Sequence, residues 1–299
     1  MRHASPLIAV LQSRLHNVQM KIQLLSDLHL EVHPHWMATA APGADLLVLA
    51  GDIGSYQVGS LLPDKDFGLA RFSPKCGWPT PVLFIPGNHE YDGLDFDVAH
   101  ARLHETCERL GIGWLEREVV TYSGTNSSAI RFVGTTLWSD FDALGPPACA
   151  DNGAMAGLLA QQLQAREKAY RAANYYLKKT GTTRHGSPML AEAVRAQALL
   201  CQDWLVKALA KPFFGTTVVV THFAPSLLSA DPRYGLKPGT AGFCNALDHL
   251  LPCAQLWLHG HLHAPSHYAK HGCRVVANPL GYARKNEQAA FQAAHCINL

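Results

Sequence analysis

Five short segments concentrate the residues that can do chemistry: Asp27-Leu28-His29, Gly51-Asp52, Gly87-Asn88-His89-Glu90, Thr221-His222 and Gly260-His261-Leu262-His263. Singly each is a weak signal, because an Asp or a His after an apolar run is ordinarily a cap, a turn residue or a hydrogen-bonded imidazole. Jointly they gather two aspartates, a carboxamide and several of the 17 histidines into a chain with only 16% charged residues. Burying such a set is unfavourable unless a cation compensates it. Mixed oxygen and imidazole donors without thiolate suit Mn, Fe, Zn, Co or Ni better than Mg or Ca, which prefer all-oxygen shells. The donors exceed what one ion with open positions needs. They point to two metals sharing a carboxylate, and such a pair ~3.5–4 Å apart is the recurrent device for in-line displacement at phosphorus.

Positioning these residues requires strands that stop where the donors begin. Six apolar runs read as buried strands: Ile22 to Leu25, Asp45 to Ala50, Pro81 to Ile85, Arg131 to Gly134, Thr216 to Thr221 and Gln255 to His259. Five of the six lead straight into a cluster of Asp, His or Asn, and in layered α/β folds the loops beyond strand carboxyl ends are where sites assemble. Between Ala154 and Leu209 the composition turns helical. One helix is expected to carry Leu159, Leu163, Tyr170, Ala173 and Leu177 on its apolar stripe, and a second Val194, Cys201, Trp204 and Ala208. Ser187 reads as the N-cap of the second helix, Pro188 as its first residue, Pro212 as its stop, and Gly181 to Gly186 as the intervening turn.

This block, near 150–210, has no linker-like ends and reads as an insertion in a single domain over 20–299. Residues 1–19 form an N-terminal extension without a clear pattern. Met20-Lys21 leads directly into the first strand, so translation from Met20 is a second reading of the start.

The chain has 299 residues, 48% of them hydrophobic, enough to bury a sizeable core and to exclude global disorder. With 25 Lys+Arg against 23 Asp+Glu it carries no broad basic face for nucleic acid or an anionic membrane. No apolar run approaches the ~18–20 residues of a membrane span, and the N-terminus has no cleavage pattern after its short apolar run. The eight cysteines are widely spaced without a CxxC pair, so reduced thiols and a cytoplasmic location are the expectation.

The ordered set D-x-H, G-D, G-N-H-E, H, G-H-x-H resembles the signature of the calcineurin-like metallophosphoesterase superfamily. Asn278-Pro279-Leu280-Gly281-Tyr282 is similar to a turn that follows the last motif in its bacterial members. The resemblance implies an α/β fold, a four-layer double β-sandwich flanked by helices. It implies a first metal on Asp27, His29, Asp52 and His263, with Asp52 bridging, and a second on Asn88, His222 and His261. The ions would be Mn, Fe, Zn or Ni. His89 would face the scissile phosphate and protonate or stabilise the leaving oxygen while a metal-bridging hydroxide attacks.

Departures from the pattern narrow the branch. Gly51-Asp52-Ile53-Gly54-Ser55-Tyr56 stands where the Ser/Thr protein phosphatases have GDxVDRG. The Asp that orients the catalytic His and the Arg that clamps phosphate are therefore missing, and Glu90 becomes the candidate partner of His89. Purple acid phosphatases lack the His of the first motif, which is here His29. Tyr56, Arg233 and Tyr234 are candidate substrate contacts, and Ala224 to Gly242 a loop bordering the site. Trp138 after its strand reads as core, with a place at the cleft as the alternative. His33, His35, His259, His267 and His271 are expected to support the site or lie on the surface, with His259 on the strand face of His261 if that strand continues. The expected activity is hydrolysis of a small phosphomonoester or phosphodiester, nucleotides included. A non-catalytic interaction scaffold on the same fold is the alternative, against which stands the retention of every motif residue.

Overall fold

Alternation along the short apolar runs decides the layers. The computed structural model describes residues 20–123, 129–146 and 155–299, so the reading of residues 1–19 and of Cys149 lies outside the described residues. In the first sheet β1 (Lys21–Leu25), β2 (Leu46–Ala50), β3 (Val82–Ile85) and β4 (Gly113–Trp114) run parallel, and β13 (Cys296–Asn298) pairs antiparallel with β1. The second sheet has the order β11-β12-β10-β9-β6-β5. Its strands β6 (Ala129–Thr135), β9 (Gly215–Thr221), β10 (Leu256–His259) and β12 (Cys273–Ala277) are parallel, while β5 (Glu118–Tyr122) and β11 (Ser266–Lys270) are antiparallel edges.

Ile22, Leu24, Leu46, Val48 and Ile85 from one sheet meet Phe132, Val218, Val220, Leu256 and Leu258 from the other in a shared core. Their sequence neighbours Leu25, Leu47, Leu49 and Phe84 belong to a second core, with Leu103 and Cys107 of α1 (Phe96–Leu110) and Val194, Ala198 and Cys201 of α3 (Ala191–Leu209). A period-two switch within each strand thus gives the sheet two apolar faces, one toward its partner sheet and one toward helices. Burying each such side chain contributes roughly 1.5–3 kcal/mol. No described helix is long and apolar enough to cross a membrane, and the seven cysteines among the described residues are free.

All six expected strands are present, together with the two helices α2 (Met155–Thr180) and α3. Several local expectations need correction. Ser187-Pro188 is not a helix start but strand β8 (Ser187–Pro188), paired with β7 (Thr183–Arg184) in a hairpin that occupies the expected turn. The helix starts at Ala191, whose N–H is accepted by Asn174 Oδ1 of α2 at 2.8 Å. A cap delivered by a neighbouring helix leaves no mark in the local sequence. In α2, Leu159 and Leu163 are 59% and 49% exposed. The first half of that helix is held by polar contacts instead: Gln162 and Arg166 bind the Asp142 carboxylate at 2.6 and 2.7 Å, and Arg195 of α3 joins them at 2.9 Å. Helix α1 was legible but not expected, with Asp95 accepting from Asp97 N and Val98 N at its start and left-handed Gly111 at its end. Trp138 is core, packed against Tyr91, Phe96 and Phe223.

Candidate metal centre

Because β1, β2 and β3 are parallel, as are β9 and β10, their carboxyl ends share one edge of the paired sheets, where the five segments follow. Backbone bonds stitch the segments together: Asp27 N to Gly51 O at 3.0 Å, His29 N to Asp52 O at 3.1 Å and Gly260 N to His222 O at 3.0 Å. Turning so many side chains toward one point strains the chain. Asp27, His29, Asp52, His261 and His263 all have φ between +46° and +74°, at roughly 1–2 kcal/mol each. The interleaved glycines allow the approach. A Cβ on Gly51, itself at φ +85°, would meet Gly87 N at 2.7 Å, and one on Gly260 would meet Asp27 Oδ2 at 2.6 Å.

Asp27, His29, Asp52 and His263 bring one ligand atom each within 4.8 Å of one another, and so do Asp52, His222 and His261. Asp52 belongs to both groups. Asn88 Oδ1 lies 3.3 Å from His222 Nε2, beside the second. The donor atoms fit metal ions. His29 Nε2 and His263 Nε2 face each other at 2.9 Å, and Asp27 Oδ2, Asp52 Oδ2 and His261 Nε2 are buried without a hydrogen-bond partner. Asp52 Oδ2 comes to 3.2 Å from His222 Nε2, yet no hydrogen bond joins them. Buried orphans of this kind are costly, and converging lone pairs are what a cation satisfies.

The electrostatics divide the imidazoles. Burial, with neighbouring imidazoles, holds His29 and His261 well below the usual histidine range, in the neutral ligating form. For His222 burial acts the same way, but Asp52 outweighs it and raises the pKa to about 9. Burial opposes the Asp52 charge, which His222 and His89 nevertheless hold well below the usual carboxylate range. A proton on His222 and a cation beside Asp52 are competing answers to one negative charge.

His89 stands apart from both groups, its side chain 23% exposed and Nε2 4.0 Å from Asp52 Oδ2. Its partner is Asp92, whose Oδ2 lies 2.6 Å from Nδ1, and not Glu90. The turn His89–Tyr91 is 3-10, so residues three apart share a face and Asp92 comes under the ring. Burial disfavours the His89 cation, but Asp52 and Asp92 raise its pKa to about 10. Glu90 points inward and accepts from Gly87 N, Asp52 N and Ile53 N at 2.7, 3.1 and 2.6 Å. Glu90→Ala would orphan three buried N–H groups that hold two motif loops. The expected loss is about 3–5 kcal/mol of stability, read by urea denaturation of metal-free protein; a loss under ~1 kcal/mol would contradict this scaffold role.

Other candidates are engaged elsewhere. Tyr56 donates to Asp64 O and accepts from Phe67 N. Arg233 pairs with Asp231 at 2.7 Å, and its guanidinium lies over the ring of the exposed Tyr234. His259, the last residue of β10, belongs to neither donor group, and left-handed His261 turns the chain after it. His259 is buried, with Nε2 3.0 Å from Ser229 Oγ. The sequence reading missed the aromatic surround: Tyr282 stacks on His29 at 4.4 Å, and Phe223 and Phe243 lie 3.9 and 5.1 Å from His261. Phe243 is 40% exposed at the edge of the centre.

The sequence profile of the calcineurin-like phosphoesterases matches residues 20–265. An uncharacterized protein, L509, of Acanthamoeba polyphaga mimivirus is 23% identical over 292 residues, 88% of this chain and 92% of that protein. The crystal structure of phosphopantetheinyl hydrolase from Mycobacterium tuberculosis superposes with a TM-score of 0.63 at 18% identity, covering 95% of this chain and 97% of that one. That likeness is one of fold, and the profile match extends through every motif that supplies the clustered donors. The chain belongs to the calcineurin-like phosphoesterase family.

Proposed function

We propose that the protein is a metal-dependent phosphoric ester hydrolase acting on a small phosphomonoester or phosphodiester, nucleotides included. The observation that carries this reading is the single carboxylate of Asp52 shared by two donor groups, next to an accessible imidazole backed by its own carboxylate. Asp27, His29, Asp52 and His263 would hold one ion and Asp52, Asn88, His222 and His261 another, of Mn, Fe, Zn or Ni. Bound there, the ions supply Lewis acidity at the phosphoryl oxygens and lower the pKa of the attacking water.

The chain's own residues do the rest. Burial keeps His29 and His261 unprotonated and able to donate lone pairs. Asp92 fixes the His89 ring through Nδ1, leaving Nε2 to give its proton to the departing ester oxygen as water forms the new P–O bond. The carboxylate of Asp52 accepts from His89 N at 2.8 Å, so the same side chain sets the distance between the acid and the donor groups.

The test is hydrolysis of an aryl phosphomonoester and a bis-aryl phosphodiester by metal-stripped protein, with Mn²⁺, Zn²⁺, Ni²⁺ or Fe²⁺ restored separately. Turnover of either ester that returns with metal is the expected result. Protein that binds two equivalents and cleaves neither ester would favour the interaction-scaffold reading.

A further inference from the structure

Each imidazole of the first donor group has a buried carboxylate on its far side. His29 Nδ1 lies 3.0 Å from Glu31 Oε1, with both side chains fully buried. His263 Nδ1 lies 2.7 Å from Glu287 Oε2, which also accepts from Tyr282 N at 2.8 Å. An ionised carboxylate only accepts, so with Glu31 and Glu287 ionised these contacts place the proton on Nδ1 of both rings and leave Nε2 as the lone-pair atom; the two Nε2 atoms converge at 2.9 Å. The second group is built differently. His222 Nδ1 donates to a neutral carbonyl, Ala50 O, at 2.8 Å, and the His261 ring sits among the rings of Phe223 and Phe243; its backbone N–H donates to Asp27 Oδ1, but no carboxylate is hydrogen-bonded to the imidazole itself among the described residues. Glu31 and Glu287 arrive from opposite ends of the chain, one two residues after His29 and the other 24 residues after His263.

We propose that Glu31 and Glu287 are positioning residues for the ion held by Asp27, His29, Asp52 and His263. Each carboxylate locks the tautomer and orientation of its imidazole and adds negative charge behind it, which raises ligand basicity. They act on that ion and not on the one near His222 and His261. The inference rests on reading the two donor groups as metal sites.

The experiment is calorimetric titration of metal-free protein with Mn²⁺ and in parallel with Zn²⁺, with bound metal counted by elemental analysis. Wild-type protein is expected to take two ions in separable steps. Glu31→Gln and Glu287→Gln retain the shape and an acceptor for Nδ1–H but remove the charge. Each is expected to weaken the tighter step by ~10–100-fold, with the other step within about threefold of wild type. Glu31→Asp and Glu287→Asp keep the charge and are expected to recover part of the loss. His261→Ala should remove the weaker step alone. Gln variants that titrate as wild type does, or that weaken both steps equally, overturn the proposal. Two indistinguishable steps in wild-type protein overturn it as well, so the wild-type isotherm decides even where a variant fails to fold. Wild-type protein that binds neither ion overturns instead the reading of the donor groups as metal sites.

Discussion

Asp52→Asn is expected to reduce metal-dependent turnover by ~10³-fold or more, the equivalent of about 4 kcal/mol of lost transition-state stabilisation. No other residue among the described ones belongs to both donor groups, so a single loss of charge affects both ions. The substitution is conservative in every other respect. Oδ1 accepts the His89 N–H, which an amide oxygen can still do, and Oδ2 is buried without a hydrogen bond, so no donor there loses a partner. Folding should therefore survive while metal binding fails, which circular dichroism and elemental analysis of the same sample distinguish. The companion change is in the imidazoles: without the negative charge that raises it, the pKa of His222 should fall from about 9, a shift visible by NMR in metal-free protein. A variant that retains two ions and turns over within tenfold of wild type would remove Asp52 from its central role.

His89→Ala should keep both ions yet slow turnover by ~10²–10⁴-fold. The loss should depend on the leaving group. A nitrophenolate departs without a proton and an alkoxide does not, so an alkyl phosphoester should suffer more than a nitrophenyl one. Equal losses on both substrates would contradict proton donation. Asp92→Asn tests the same group through its pH profile. Asp52 and Asp92 together stabilise the His89 cation against the effect of burial. Removing one negative charge must lower the His89 pKa, and with it the pH at which the acid form is lost. The alkaline limb of the kcat profile is therefore expected to move to lower pH in the Asp92 variant; an unmoved limb would mean that another group governs it.

Much of the centre was legible because its chemistry is written in consecutive residues. Asp27-Leu28-His29 and His261-Leu262-His263 put donors two apart after a strand, and the strand runs before them are long and apolar enough to be recognised without tertiary context. The partner of His89 was legible in principle, since His89 and Asp92 are separated by one 3-10 turn, but nothing local distinguishes Glu90 from Asp92 until the turn type is known. Residue type alone makes Tyr56 and Arg233 candidate substrate contacts, and it does not reveal that Asp64, Phe67 and Asp231 engage them. The apolar stripe of α2 misled for a similar reason, since spacing reports which residues share a face and not whether a partner covers it.

By itself the sequence determined the inventory and order of the donors, the strands that precede them and the two-sided burial those strands require. These are local properties, set by side-chain chemistry and backbone period. Only the tertiary structure decided which donors meet, that Asp52 is common to both groups, that Glu31 and Glu287 stand behind His29 and His263, and that Asn174 rather than Ser187 caps α3. Those facts depend on residues far apart in the chain brought together by parallel pairing at one sheet edge and held there by left-handed backbone. Local propensity disfavours that conformation, and packing of the whole molecule sustains it.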